Sequence, residues 1–120
     1  QKTLRRRLVK SLIKLQAVMD EFTTEHYKIT ANMITIFCYI AARPEEVITT
    51  RDLPAIFGLP QTTINRLIRT MAERSYAREE GFKWLRQTVD PVDERQRIVE
   101  VTAKGRMLAN RVKEILEDDQ

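Results

Sequence analysis

The side chains best placed to do chemistry in this 120-residue sequence are cations and amides that recur on one face of a short segment. Between Gln61 and Arg74, the residues Thr62, Asn65, Arg66, Arg69 and Glu73 share a helical spacing. They lie directly behind an apolar set, Ile64, Leu67, Ile68 and Met71, at i, i+3, i+4 and i+7. An arginine- and amide-bearing face opposite a core face can neutralise a polyanion and hydrogen-bond to it. Arg95 and Arg97 form a second basic group beside the charged stretch from Asp90 to Glu94. A third group, Lys2, Arg5, Arg6, Arg7, Lys10 and Lys14, opens the chain with only Asp20 against it, whereas Glu114, Glu117, Asp118 and Asp119 close it. The formal net charge is +4, so the distribution says more than the sum. Basic blocks beside an acidic end suggest a protein that meets a polyanion with part of its surface and keeps another part away from it; solvated helix faces are the other reading.

Catalysis finds little here. Nucleophilic chemistry needs Ser, Cys or Lys beside a base, and the sole histidine, His26, has no neighbouring serine, with the sole cysteine, Cys38, on the next helix. His26 reads as a partly buried helix-end residue and Cys38 as packing. Together they cannot supply the ligands of a structural zinc, and one cysteine forms no intrachain disulfide. Three glycines leave no room for a phosphate-cradling loop. Glu79 with Glu80, and Asp90 with Asp93, read as solvated loop acids. No enzyme, metal or cofactor is expected. No run approaches the roughly 18 apolar residues of a membrane span, and the start shows no basic stretch leading into an apolar signal core, so a soluble, cytoplasmic chain is expected.

The elements that must position these residues follow from periodicity. Residues 3–22 place Leu4, Leu8, Leu12, Leu15, Met19 and Phe22 on one helical stripe. Thr30 is a good N-cap for a helix whose Met33, Ile36, Phe37 and Ile40 are buried, with Pro44 ending it. Val47 and Ile48 read as a short extended segment. Thr49 and Thr50 compete to cap a short helix with Pro54 in its first turn and Leu53, Ile56 and Phe57 on one face. Gly58 closes it, and the 61–74 helix follows. Short helix, tight turn, exposed polar helix is the helix-turn-helix order. Residues 75–82 read as a loop. The pattern then becomes extended over Lys83–Val89 and Gln96–Thr102, a hairpin whose tip has Val92 as its one apolar anchor. Thr102 caps a last helix striped with Leu108, Val112, Ile115 and Leu116. The fold class is mainly α with a small β-hairpin, in a single domain over residues 1–120.

The stretch from Asp93 to Gly105 (DERQRIVEVTAKG) matches the wing pattern D-x-R-x-x-x-V-x-[LV]-T-x-x-G, and the chain resembles the MarR family of bacterial regulators. Thr50 to Met71 is similar to that family's short helix and recognition helix, and Thr30 to Pro44 to the helix before them. The likeness spans about residues 29–116; its compact length is similar to the SarA-like branch, while the 75–82 loop is longer and more acidic than usual and the amino-terminal segment shorter. The resemblance implies a winged helix-turn-helix, with helix-turn-helix at 50–74, wing at 83–102, and dimerisation helices at 1–24 and 103–120. It implies a homodimer whose Leu4, Leu8, Leu12, Leu15, Leu108, Val112, Ile115 and Leu116 interlock, with Arg5, Arg6 and Arg7 pairing with the partner's acidic end.

On that resemblance the partner is double-stranded DNA. A helix fits the major groove, where base edges differ in donors and acceptors, so Arg66 is expected to clamp a guanine and Asn65 to pair with an adenine. Gln61, Thr62 and Thr63 sit where free N–H groups and the helix dipole favour a phosphate, with Thr63 or Gln61 touching a base. Arg69 is expected on phosphate, as are Thr50 and Arg51, with Lys83 and Arg86 as weaker candidates. Arg95, held by Asp93, would reach the minor groove, with Arg97 flanking it. Relatives also bind small acids between the terminal helices and the winged lobe, so Tyr27, Phe37, Tyr39 and Trp84 are candidate lining for an effector, or plain core. The leading expectation is a sequence-specific homodimeric repressor binding a pseudo-palindromic operator. The alternative is a winged-helix module that binds protein in a phage, plasmid or replication complex.

Overall fold

The computed structural model describes residues 1–73 and 80–118. Among them the elements run α1 (Lys2–Glu25), α2 (Ala31–Ala41), β1 (Ile48–Thr49), α3 (Leu53–Phe57), α4 (Gln61–Ala72), β2 (Leu85–Val89), β3 (Arg97–Val101) and α5 (Ala103–Glu117). The expected caps form: the Thr30 side chain accepts from the Met33 N–H, and Thr102 from the Gly105 N–H at 3.1 Å. Gly58 ends α3 at φ 63°, in the left-handed region that glycine enters cheaply. Asp52, not Thr49 or Thr50, stands at the N-cap of α3. Its carboxylate accepts from both the hydroxyl (2.9 Å) and the N–H (3.3 Å) of Thr49, so the expected capping direction is reversed. Within α3, Leu53 is buried and Phe57 half-buried, but Ile56 points outward.

The expected hairpin is part of a three-stranded antiparallel sheet in the order β1-β3-β2. Ile48 pairs with Val99 and Thr49 with Ile98, while Leu85 to Val89 pair with Val101 back to Arg97. Val92, at the tip, is 93% exposed and anchors nothing. Arg74 and loop residues 75–79 lie outside the described residues; beyond them the Phe82 and Trp84 N–H groups donate to the Thr70 and Met71 carbonyls, tying the root of β2 to the end of α4.

Trp84, fully buried, meets Phe22 of α1 at 6.0 Å and Phe37 of α2 at 5.6 Å between ring centroids, both edge-on. This aromatic group joins the end of α1 to the winged lobe. Val18 and Phe22 are the buried residues of α1. The stripe residues Leu4, Leu8, Leu12 and Leu15 are each more than half exposed, as are Val9 and Ile13. The first turns of α1 therefore stand clear of the domain, giving extents of 56 × 28 × 26 Å and a radius of gyration of 16.1 Å. A compact domain of this length would have about 14 Å. On α5, Leu108 is fully buried within the chain and unavailable to a partner, which corrects its place in the expected interface. Val112 and Ile115 are half-buried and Leu116 exposed. Among the described residues no helix is long and apolar enough to cross a membrane, and no cluster of side chains could hold a metal ion.

Gly105 explains the T-x-x-G of the motif. A Cβ there would lie 2.2 Å from the Trp84 carbonyl oxygen and 2.7 Å from Val101 Cγ1, while that same oxygen accepts from the Thr102 N–H at 2.9 Å. Because the clash is with backbone, Gly105→Ala is expected to cost about 2–3 kcal/mol, read as a fall in Tm of about 10 °C.

His26 closes α1 in extended conformation and stacks on Phe82 with ring centroids 3.8 Å apart. Burial, then the nearby Lys104, hold its imidazole below the ordinary 6.5, with Glu25 opposing them. The unfolded chain therefore takes up a proton more readily than the folded one, and stability falls as pH drops through 6.5 towards the lowered value. His26→Phe keeps the stack and removes the titration, so in urea melts at pH about 7.5 and 5.5 the variant should gain on the parent at the lower pH.

Candidate nucleic-acid interface

α4 carries the polar face that the spacing predicts. Ile64, Leu67, Ile68, Met71 and Ala72 are buried, and Thr62, Asn65, Arg66, Arg69 and Glu73 are exposed on the other side, with Thr63 half-buried. The helix starts after Pro60, whose side chain cannot cap, so the N–H groups of its first turn have no side-chain cap from the N-cap residue. Gln61, the first residue of α4, is half-buried. Its Nε2 donates to the Thr50 carbonyl and to Asn65 Oδ1, both at 2.9 Å.

Thr50, expected as a phosphate contact, is 6% exposed and committed internally. Its N–H donates to the Arg97 carbonyl at 2.9 Å, and its hydroxyl accepts from the Arg97 N–H at 3.2 Å. The side chain is thereby withdrawn from the surface and extends the β1-β3 pairing by one residue.

Asp93 gathers the wing. Its carboxylate accepts from Arg95 Nε at 3.0 Å, from the Arg95 N–H at 3.1 Å and from Arg51 Nη1 at 3.0 Å. These bonds, led by the Arg95 guanidinium, hold Asp93 below its ordinary pKa and raise that of Arg95. The Asp93–Arg95 pair is the expected one; the tie to Arg51, at the entrance to α3, is not visible in local sequence. Arg95 is 76% exposed, so its far side stays open to solvent. Arg97 is exposed and donates to the Glu94 carbonyl at 3.2 Å. Arg86 pairs with Glu100 across the strands at 2.8 Å, and Lys83, at φ 62°, pairs with Glu80.

The expected effector lining does not assemble. Tyr27 is 82% exposed, and Trp84 is core. Tyr39 packs edge-on against Phe57 with the Arg43 guanidinium 3.8 Å from its ring centre. Phe37 alone of the four lines a cavity of about 320 Å³ between α1, α2 and α5; Cys38 lies at its edge, exposed as a residue but with its thiol partly desolvated, which raises the thiol pKa. A cavity of about 530 Å³ lies elsewhere, between the end of α2, β3 and α5.

Asp90, expected as a solvated acid, is 7% exposed and latches the hairpin tip. One oxygen accepts from the Val92 N–H at 2.8 Å and the other from Gln96 Nε2 at 2.7 Å. The sequence Asp-Pro-Val carries the signal for this turn, an aspartate bonding the backbone two residues on.

No protein-family model matches the sequence, and no curated protein is similar to it. Solved structures are similar in fold. MepR of S. aureus in a DNA complex is 19% identical, with 98% of this chain and 84% of that chain covered and a TM-score of 0.70. An S. aureus MepR mutant bound to an oligodeoxyribonucleotide is 20% identical over 98% and 77%, with a TM-score of 0.71. A mutant of MarR from E. coli complexed with operator DNA is 16% identical over 96% and 74%, with a TM-score of 0.62. The chain thus has the winged helix-turn-helix fold of the MarR and MepR structures, mainly helical with a small antiparallel sheet.

Removing the latch isolates its contribution to the wing. Asp90→Ala leaves the Val92 N–H and the Gln96 amide without their acceptor and is expected to cost about 1–2 kcal/mol. Hydrogen exchange at Val92 should accelerate, while exchange within α2 changes only with global stability.

Proposed function

We propose that this protein is a homodimeric, sequence-specific double-stranded DNA-binding regulator of transcription, a repressor acting in the cytoplasm by occupying a pseudo-palindromic operator. The observation that carries the reading is the joint presentation of two basic elements. The outer face of α4, with Asn65, Arg66 and Arg69, and the Arg51–Asp93–Arg95 cluster are both tied to Thr50 or its immediate neighbour.

In this reading α4 enters the major groove, with Arg66 and Asn65 facing base edges and Arg69 towards phosphate. The first-turn N–H groups around Gln61, Thr62 and Thr63 receive a backbone phosphate. Arg51 lies on phosphate, and Arg95, flanked by Arg97, reaches the minor groove. The DNA-bound states of the MepR and MarR structures that share the fold support it.

Self-association is supported by α1. Leu4, Leu8, Leu12 and Leu15, with Leu116 and the half-buried Val112 and Ile115 of α5, offer a surface on which each large apolar side chain contributes about 1 kcal/mol or more when covered. Arg5, Arg6 and Arg7 would then meet the acidic end of the second copy. A small-molecule effector, implied by the resemblance, would be sought in the cavity between α1, α2 and α5.

The test is selection from a randomised duplex pool at several salt concentrations, with the parent beside Asn65→Ala and Arg95→Ala. A palindrome should be recovered, with affinity falling about a thousandfold between 50 and 200 mM salt. Asn65→Ala should relax preference at one position per half-site, and Arg95→Ala should weaken binding about fivefold across sequences. If no sequence is enriched and weak binding ignores both substitutions, the protein-binding module takes the place of this reading.

A further inference from the structure

Gln61 and Asn65 are four residues apart on α4, so their side chains are neighbours on its outer face. The Thr50 carbonyl decides how both amides are oriented. A backbone carbonyl only accepts, so the Gln61 atom 2.9 Å from it is the amide nitrogen. That nitrogen's second hydrogen points at Asn65, 2.9 Å away, and an amide nitrogen that only donates must face an oxygen there. Asn65 therefore has Oδ1 turned back along the helix and Nδ2 as the group it can offer outward.

We propose that Gln61, anchored on the Thr50 carbonyl, fixes Asn65 as a hydrogen-bond donor, so that Asn65 selects guanine and not adenine in the major groove. The inference rests on the DNA-binding reading above and deepens it. Adenine presents an acceptor, N7, beside a donor, the N6 amino group, and an asparagine reads that pair with oxygen and nitrogen together. Guanine presents two acceptors, N7 and O6, which suit a donor alone. With Oδ1 turned back onto Gln61, guanine is met by the outward Nδ2 without moving the amide, whereas the two-point adenine pair needs Oδ1 turned to the base as well. The expectation that Asn65 pairs with adenine, drawn from residue type alone, is replaced. Gln61 touches no base edge in this scheme and acts as a positioning residue.

The experiment is a duplex selection with the full chain, comparing the parent, Asn65→Ala, Gln61→Ala and Gln61→Glu. The Asn65 position is the base pair whose preference relaxes in Asn65→Ala. The parent should prefer guanine over adenine there by about tenfold. Gln61→Ala frees Oδ1 and should move the preference to adenine by a similar factor. In Gln61→Glu the carboxylate can only accept, so Asn65 turns Nδ2 towards it and Oδ1 outward, favouring bases that donate, adenine or cytosine. Adenine at that position in the parent overturns the proposal, and so does a guanine preference that stays put in both Gln61 variants. Should the Gln61 variants fail to fold by circular dichroism, the parent and Asn65→Ala still decide between guanine and adenine. If the parent enriches no duplex at all, the DNA-binding reading fails and this inference goes with it.

Discussion

Thr50 makes hydrogen bonds through its N–H, its hydroxyl and its carbonyl, and the geometry of the candidate interface depends on all of them. The N–H and hydroxyl close on the backbone of Arg97 in β3, and the carbonyl accepts from Gln61 at the start of α4. One buried residue thus sets the wing strand and the outward-facing helix in relation to each other. Buried polar groups with every partner satisfied act as geometric constraints more than as sources of stability. An apolar contact of similar area would tolerate sliding, which a directional bond does not. Arg51, the next residue, carries the same constraint to the wing tip through Asp93.

The domain behind this constraint is built differently from the helix that projects from it. Phe22, Phe37 and Trp84 lock the end of α1 to α2 and the root of β2, and Arg111 of α5 pairs with Glu21 and Glu25 on the same end of α1. On the amino-terminal side of Lys14, whose ammonium donates to the Leu116 carbonyl at 3.2 Å, Leu4, Leu8 and Leu12 of α1 are left more than half exposed by the described residues. An isolated helix of a dozen residues is marginal in water, so this half of α1 draws its helicity from propagation out of the anchored half. A second chain laid along it would add the missing apolar cover.

How much of this was legible in the sequence depends on the range over which each feature is decided. Caps at Thr30 and Thr102, the stop at Gly58 and the stripes of α2, α4 and α5 are decided within one or two turns, and they were readable. So were the outward set on α4 and the Asp93–Arg95 pair, two residues apart. Leu108 was misread because a stripe shows that a face is apolar, not whether the chain itself or another chain covers it. The two-residue strand β1 has no periodicity to detect, so the sheet read as a two-stranded hairpin and Thr50 as a surface residue. Asp90 carried a local turn signal that was outweighed by its charged neighbours. The Gln61–Asn65 orientation could not be read, because the carbonyl that decides it lies eleven residues upstream and arrives by folding.

Asp93 places a carboxylate in a surface otherwise suited to an anion. A carboxylate there lowers the net positive charge, and a surface ion pair contributes little to stability, commonly under about 1 kcal/mol. Its value is geometric. A guanidinium bonded through Nε and its own backbone N–H side has few rotamers left, so ordering Arg95 on a ligand costs less of the roughly 2 kcal/mol of side-chain entropy an arginine carries. Arg51, shared on the same carboxylate, is ordered together with it. The pair of cations exceeds the single anion, so the cluster stays positive while being held in one arrangement. Charge alone would attract any polyanion; charge held at fixed positions, on a wing set by Thr50 against a helix set by the same residue, favours a polyanion of one shape.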